Sequence, residues 1–396
     1  MRIQRQRMEP DPAAEVACSI GDVRVVLRSE LPQVAKDLAE LYGSTTDDGL
    51  DEERAIHLDV RRAGRSRFGR RLYRVFADGQ EIGGCRHANG VFPLLEWGIN
   101  LRVMETRSEY LQLHAASMVY RGHGVIFAAD SGSGKSTLAA ILLSRGWQYL
   151  CDEFALVRRD TFQLDPFPKA LCIKQGSYAL VQALDLPVAR SRDYLKELKG
   201  RVSYIDARRV GTHAIGHVAP VRFVIFPRYR PGQSPHLEPV SRTQATMRLV
   251  GSCFNRHTFP RAALDILTRT AAQSRCFELG TQEPQATADL LESRLDAVID
   301  AASASESAHR RPAQAAAPRP AAQDHRGQHL KSRRDLLRIG AKVAYVTPSV
   351  LMLAATPAMA AGSNPSGVCS TGLNTGELCE TDSDCCSKVC DFGVCQ

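Results

Sequence analysis

Gly124-Val-Ile-Phe-Ala-Ala-Asp-Ser-Gly-Ser-Gly-Lys-Ser-Thr137-Leu-Ala-Ala-Ile-Leu-Leu143 is the stretch on which the fold turns. Residues 124–128 form an apolar run of strand length, and residues 137–143 read as an apolar helix. Between them lies a loop with two glycines, a lysine and several hydroxyls. Strand, Gly-rich loop and helix in that order are what a phosphate-binding loop requires. The backbone N–H groups of Ser131, Gly132, Ser133, Gly134 and Lys135 can line an anion nest at the positive end of the helix. Lys135 is expected to reach the β- and γ-phosphates of a nucleotide, and the Ser136 hydroxyl to ligate Mg²⁺, with Thr137 opening the helix. ATP and Mg²⁺ are the cofactors this implies. The consensus first glycine is Ala129 here, which tightens the loop but leaves Gly132 and Gly134 in place.

Working outward, Gly146 ends the helix and Tyr149-Leu-Cys-Asp-Glu-Phe154 follows. Asp152 and Glu153 stand at the end of a short strand, seventeen residues after Lys135. Two adjacent carboxylates in that place can hold Mg²⁺ and accept a proton from an attacking hydroxyl. A solvated turn is the alternative. On the preceding strand, Leu111-Gln-Leu-His-Ala115 carries His114, which either faces the phosphates or serves the strand structurally.

Together these residues resemble the HPr kinase/phosphorylase family and its shorter kinase relatives. His114, Gly124-Val-Ile126, Asp130 to Ser136, Arg145-Gly146 and Asp152-Glu153 meet the family pattern, and Pro166-Phe-Pro168, Leu171-Cys-Ile-Lys174 and Phe226-Pro-Arg-Tyr229 look like its later segments. The resemblance covers residues 90–300 or so. It implies an α/β P-loop kinase core like the HPr kinase C-terminal domain, a mixed sheet with flanking helices. It also implies an ATP-dependent serine kinase acting on a protein or peptide. By the same resemblance Asp152 would deprotonate the acceptor serine, Glu153 would be its metal-associated neighbour, and His114 would lie beside the phosphoryl group. The two carboxylate roles can be exchanged. The second acid is Glu rather than Asp, and the downstream Gly-rich segment linked to phosphorolysis and HPr recognition is missing. Phosphorylation without the reverse reaction is therefore implied. A small-molecule kinase of the same fold, or an ATP-binding regulatory module without transfer, are the other readings.

The chain has 396 residues, 44% hydrophobic and 24% charged, a multidomain length with ordinary water-soluble cores. Net charge is +8, too mild to argue for nucleic acid. The run Arg61-Arg-Ala-Gly-Arg-Ser-Arg-Phe-Gly-Arg-Arg71 reads as a solvated hairpin or a docking surface for an acidic peptide. Residues 1–108 read as an α+β N-terminal domain, with helices over 31–42 and 93–104 and a hairpin turn at Ala77-Asp-Gly-Gln80. Residues 109–301 form the kinase-like domain, with a buried strand over 221–226 and a helix over 241–249. The opening Met1-Arg-Ile-Gln-Arg-Gln-Arg7 lacks an apolar core, so no secretory signal is expected there. The kinase part is expected to be cytoplasmic, without a stable membrane span, and compatible with a homo-oligomer.

Residues 302–331 are Ala-, Pro- and Arg-rich and read as a disordered linker. Residues 332–360 carry Ser332-Arg-Arg-Asp-Leu-Leu337, which resembles a twin-arginine export signal, a weakly apolar stretch and the small-residue site Ala358-Met-Ala360. A tail helix is the alternative. Residues 361–396 hold Cys369, Cys379, Cys385, Cys386, Cys390 and Cys395. A unit this small needs staples, and disulfides fit better than zinc, given the adjacent pair and the lack of histidine. The spacing resembles knottin peptides, which implies pairing of 369 with 386, 379 with 390 and 385 with 395. Glu377, Glu380, Asp382, Asp384 and Asp391 against Lys388 make this tail acidic. A basic kinase is suited to such a peptide, so an acidic cysteine-rich peptide is the expected partner: this tail, exported after cleavage near Ala360, or a sister precursor.

Overall fold

The structure, a computed structural model, describes residues 13–43, 54–65, 71–130, 132–187, 193–196, 200–230, 232–281 and 283–310, with 390–391 and 394–395. Contacts divide the chain into Met1–Asp300 and Ala301–Gln396. Four of the tail cysteines, the export-like segment and Ser131 lie outside the described residues.

The chain begins with β1 (Ala14–Ile20), β2 (Val23–Ser29), α1 (Pro32–Tyr42), β3 (Ile56–Arg65), β4 (Arg71–Ala77), β5 (Gln80–Cys85) and α2 (Ala88–Thr106). The five strands form one sheet in sequence order, with β2 and β3 parallel across the α1 crossover. Pro32 at the first turn costs α1 nothing, because that N–H has no partner in a helix. Asp78 and Gly79 have φ 47° and 80°, the pair of positive angles that a two-residue hairpin turn demands. The expected hairpin is thus present. Helix α2 starts five residues before the expected position and carries Pro93 inside it. Burial of Val91, Phe92 and Leu95 on both sides outweighs the single hydrogen bond the proline forfeits.

Next come β6 (Tyr110–Tyr120), β7 (His123–Ala128), α3 (Lys135–Ser144), β8 (Gln148–Cys151), β9 (Phe154–Arg158), β10 (Gln163–Asp165), β11 (Leu171–Lys174), α4 (Tyr178–Ala183), β12 (Tyr194–Lys196), β13 (Gly200–Ile205), β14 (Ala219–Tyr229), β15 (His236–Pro239), α5 (Arg242–Gly251), α6 (Pro260–Gln273), β16 (Arg275–Thr281) and α7 (Pro284–Arg310). The central sheet runs β10-β9-β6-β7-β14-β16-β15, with β8 also on β6. Strands β7, β14 and β16 are mutually parallel, and the rest pair antiparallel. The result is a mixed α/β fold, with seven helices among the described residues.

Alternation along the strands sorts side chains to two faces. Val125, Phe127, Phe223, Ile225 and Leu279 pack with α3 and the first part of α7. Ile126, Val224, Phe226 and Cys276 pack with α5 and α6. Ser241 and Gln244 make a capping box at the start of α5, the helix expected there. A third core joins the N-terminal sheet to Cys151, Phe154, Phe167, Tyr194 and Tyr204, so the turn after β8 sits against N-terminal residues. A small sheet, β11-β13-β12, stands beside that turn.

Helix α7 continues to Arg310, into the Ala- and Ser-containing stretch where alanine favours helix. In the tail, β17 (Cys390–Asp391) pairs antiparallel with β18 (Val394–Cys395), setting Cys390 opposite Cys395. No helix among the described residues is long and apolar enough to cross a membrane.

Candidate active site

The loop after β7 leads through two glycines into α3. Gly132 and Gly134 have φ 91° and 88°, a region other residues enter only with strain. A Cβ at either would touch nothing within 4 Å, so backbone conformation rather than space calls for glycine. Gly134 is the N-cap of α3, and its carbonyl accepts from Leu138 N at 2.9 Å. Lys135 is buried, and its ammonium donates to the carbonyls of Ala129 and Asp130, the latter at 2.9 Å. Ser133 Oγ is buried in the loop and meets no hydrogen-bond partner among the described residues. Thr137 Oγ1 lies 2.7 Å from Ser177 Oγ, which ties the loop helix to the turn after β11.

Strand β8 carries Asp152 to this loop. Its carboxylate, 5% exposed, accepts from Ser136 Oγ at 2.8 Å. The neighbouring Cys151 is inert: burial pushes its thiol up to about 12.

Glu153 has different partners from Asp152. Asn100 Nδ2 donates to its Oε2 at 2.6 Å, Lys196 Nζ lies 3.3 Å from Oε1, and Lys169 Nζ lies 4.0 Å from Oε2. Lys169 is itself paired with Glu96 at 3.0 Å, with both side chains no more than 5% exposed. It also donates to the Glu96 carbonyl at 2.8 Å and to Asn100 Oδ1. Tyr42 OH donates to Glu96 at 2.8 Å and accepts from Ala170 N. Burial works against the charge on Lys196, but Glu153 outweighs it and leaves the ammonium pKa raised. A small cavity of about 10 Å³, room for about one water, is lined here by Asp152, Glu153, Lys169, Cys172, Lys196 and Tyr204 among others.

His114 pairs with Phe154 in the β6–β9 ladder, so it stands across from the residue after Glu153. Its backbone N–H donates to Ser252 O at 2.7 Å, and its ring packs 5.4 Å from Phe254, which in turn packs on Phe154. Of the residues singled out in the sequence, the structure brings Ser136, Lys135 and Asp152 together, and sends Glu153 to the lysines. Asn100, Lys169, Lys196, Glu96 and Ser177 were missed; no spacing in the sequence marks them. Among the described residues no cluster of three or more His, Cys, Asp or Glu could hold a metal.

A family model described as "SynChlorMet cassette protein ScmC" matches residues 97–183, which contain the loop, Asp152 and Glu153. Among curated proteins none matches. Among solved structures, the Hpr(Ser) kinase/phosphatase from Coxiella burnetii is similar at 15% identity, covering 50% of this chain and 99% of that one, with a TM-score of 0.26.

Proposed function

We propose that this chain is a Mg-ATP-dependent serine kinase whose acceptor is a protein or a ribosomally made peptide, its own acidic cysteine-rich tail or a sister precursor being the first candidate. The observation that carries this reading is the Ser136–Asp152 pair at 2.8 Å, at the mouth of the glycine loop. In P-loop enzymes a loop hydroxyl and a strand-end aspartate share one Mg²⁺. Neighbouring oxygens of an octahedral Mg²⁺ site lie about 2.9 Å apart, so these two are spaced as such a site needs. Two protein oxygens suffice, because Mg²⁺ commonly takes its remaining ligands from phosphates and water. Ser133 Oγ, buried without a partner among the described residues, fits a loop built for phosphate oxygens.

In this reading Ser136 and Asp152 would hold a Mg²⁺ ion, which would supply positive charge beside the nucleotide's phosphates. The backbone of residues 131–137 cradles the phosphates, and Lys135 leaves the two loop carbonyls for them. The acceptor hydroxyl attacks the γ-phosphorus as the bond to the β-γ bridging oxygen breaks, giving ADP and a phosphoserine. Asp152, which also lines the cavity, takes the hydroxyl proton. Glu153 and His114 border the acceptor side.

The test is to incubate the full chain with Mg-[γ-³²P]ATP, with and without a synthetic peptide of residues 361–396, and to measure label and intact mass. Label on the peptide or on the chain's own tail supports the proposal. Turnover stimulated by metabolites and indifferent to the peptide would move the chain to small-molecule kinases. Tight nucleotide binding without transfer or turnover would make it a regulatory module.

A further inference from the structure

The cluster behind Asp152 is more elaborate than stability requires. Removing Lys169 and Glu96 from water costs several kcal/mol for each ion, and an apolar pair of similar volume would serve a core as well. Their placement is the informative part. Asn100 accepts from Lys169 through Oδ1 and donates to Glu153 through Nδ2. The amide therefore has one sense, and the chain Glu96, Lys169, Asn100, Glu153, Lys196 has a direction. Both oxygens of Glu153 are engaged, one by Asn100 and the other by Lys196. One residue earlier in the chain, Asp152 accepts from Ser136. Holding Glu153 thus fixes the turn that aims Asp152.

The two lysines differ in what they can do. Lys169 has 4% of its side chain exposed and is fixed from below by Glu96, whereas Lys196 has 21% exposed and comes from β12, in the small sheet beside the cavity. That sheet also contributes the chain leading into Ser177, the partner of Thr137 on the loop helix. The small sheet therefore meets the loop helix from its β11 edge and the carboxylate turn from its β12 edge.

We infer that Lys196 is a positioning residue for phosphoryl transfer: acting through Glu153, it holds the Asp152 carboxylate in line with the acceptor hydroxyl, while the bond from Ser177 to Thr137 registers the same sheet on the nucleotide loop. This rests on the kinase reading. It makes the small sheet the acceptor-side wall of the site and gives Glu153 a holding role in place of a metal-ligand role.

The experiment compares Lys196→Met and Lys196→Arg with the unaltered full chain, reading kcat and the KM for Mg-ATP in the phosphorylation assay, together with nucleotide affinity by fluorescence titration. A displacement of order 1 Å at a reacting group can cost about 100-fold. Lys196→Met is therefore expected to lower kcat by about 10- to 100-fold with KM and nucleotide affinity within about twofold. Lys196→Arg, which keeps the cation, is expected to recover most of kcat. An unchanged kcat in the Met form, a rise in KM that accounts for the loss, or an Arg form no better than Met overturns the inference and leaves the kinase reading standing. If Lys196→Met fails to bind nucleotide because it does not fold, Lys196→Gln is read by the same criteria. If the unaltered chain transfers nothing and consumes no ATP, the kinase reading falls, and this inference with it.

Discussion

Ser136 Oγ donates to Asp152 Oδ2 at 2.8 Å, joining the first turn of α3 to the residue that follows β8. The contact exists because β8 and β7 flank β6, with Cys151 and Ile126 both opposite Ser117, so the residue after β8 lies near the end of the strand that leads into the glycine loop. Asp152 thus meets the glycine loop through Ser136, whereas the adjacent Glu153 is held by Asn100 and Lys196.

Asp152→Asn keeps a side chain of the same shape that can still meet Ser136 but has lost its charge. Phosphoryl transfer is expected to fall by at least about 100-fold, within the range general acid–base catalysis supplies, while nucleotide affinity changes only a few-fold. Lys135→Ala is expected to weaken both. Parallel titrations with a fluorescent ATP analogue and label-transfer assays separate the two outcomes.

Gly134→Ala tests the loop backbone without filling space, since its Cβ meets nothing within 4 Å. Forcing an L-residue to φ near 88° costs about 1–2 kcal/mol, and it does so at the N-cap of α3. The expected result is a comparable loss in chemical unfolding and weaker Mg-ATP binding. A variant as stable and as tight-binding as the parent would show that the loop does not need this conformation.

The Lys169–Glu96 pair is expected to behave as a unit. Lys169→Met leaves Glu96 charged and buried, so stability should fall by about 3–5 kcal/mol. Adding Glu96→Gln, which still accepts from Tyr42, should restore most of that loss. Denaturant unfolding of both singles and the double gives the coupling, and additive losses would refute it.

Glu278 supplies a pH dependence. Burial raises its pKa, but hydrogen bonds from Arg248 and Arg230 and the charges of Arg248 and Arg228 outweigh burial and leave it below the usual glutamate range. A depressed carboxylate contributes stability that is full above its unfolded value and lost as pH falls through the folded one. Unfolding measured from pH 6 downward should show the parent losing more stability below about pH 4.5 than Glu278→Gln does. Parallel curves for the two would exclude the arginine contacts as the source.

What could be read in advance was local. The glycine loop, the Asp78–Gly79 turn, the α1 start at Pro32 and the Ser241–Gln244 box each depend on residues within a few positions of one another. Helix α2 was placed late because Pro93 is a local stop signal, and only the buried neighbours of that proline override it. Asp152 and Glu153 look equivalent as adjacent acids. They differ in their partners, Ser136 for one and Asn100 and Lys196 for the other, the latter two at sequence distances of 53 and 43.

The sequence by itself therefore determined the glycine loop between β7 and α3, because a strand, two glycines at positive φ and a helix start form one contiguous segment. Only the tertiary structure decided which carboxylate meets the loop and which is held away. That choice is electrostatic: a buried acid needs a cation or donor within a few ångströms, and Lys196, Lys169 and Asn100 arrive there only when three distant elements fold around one turn.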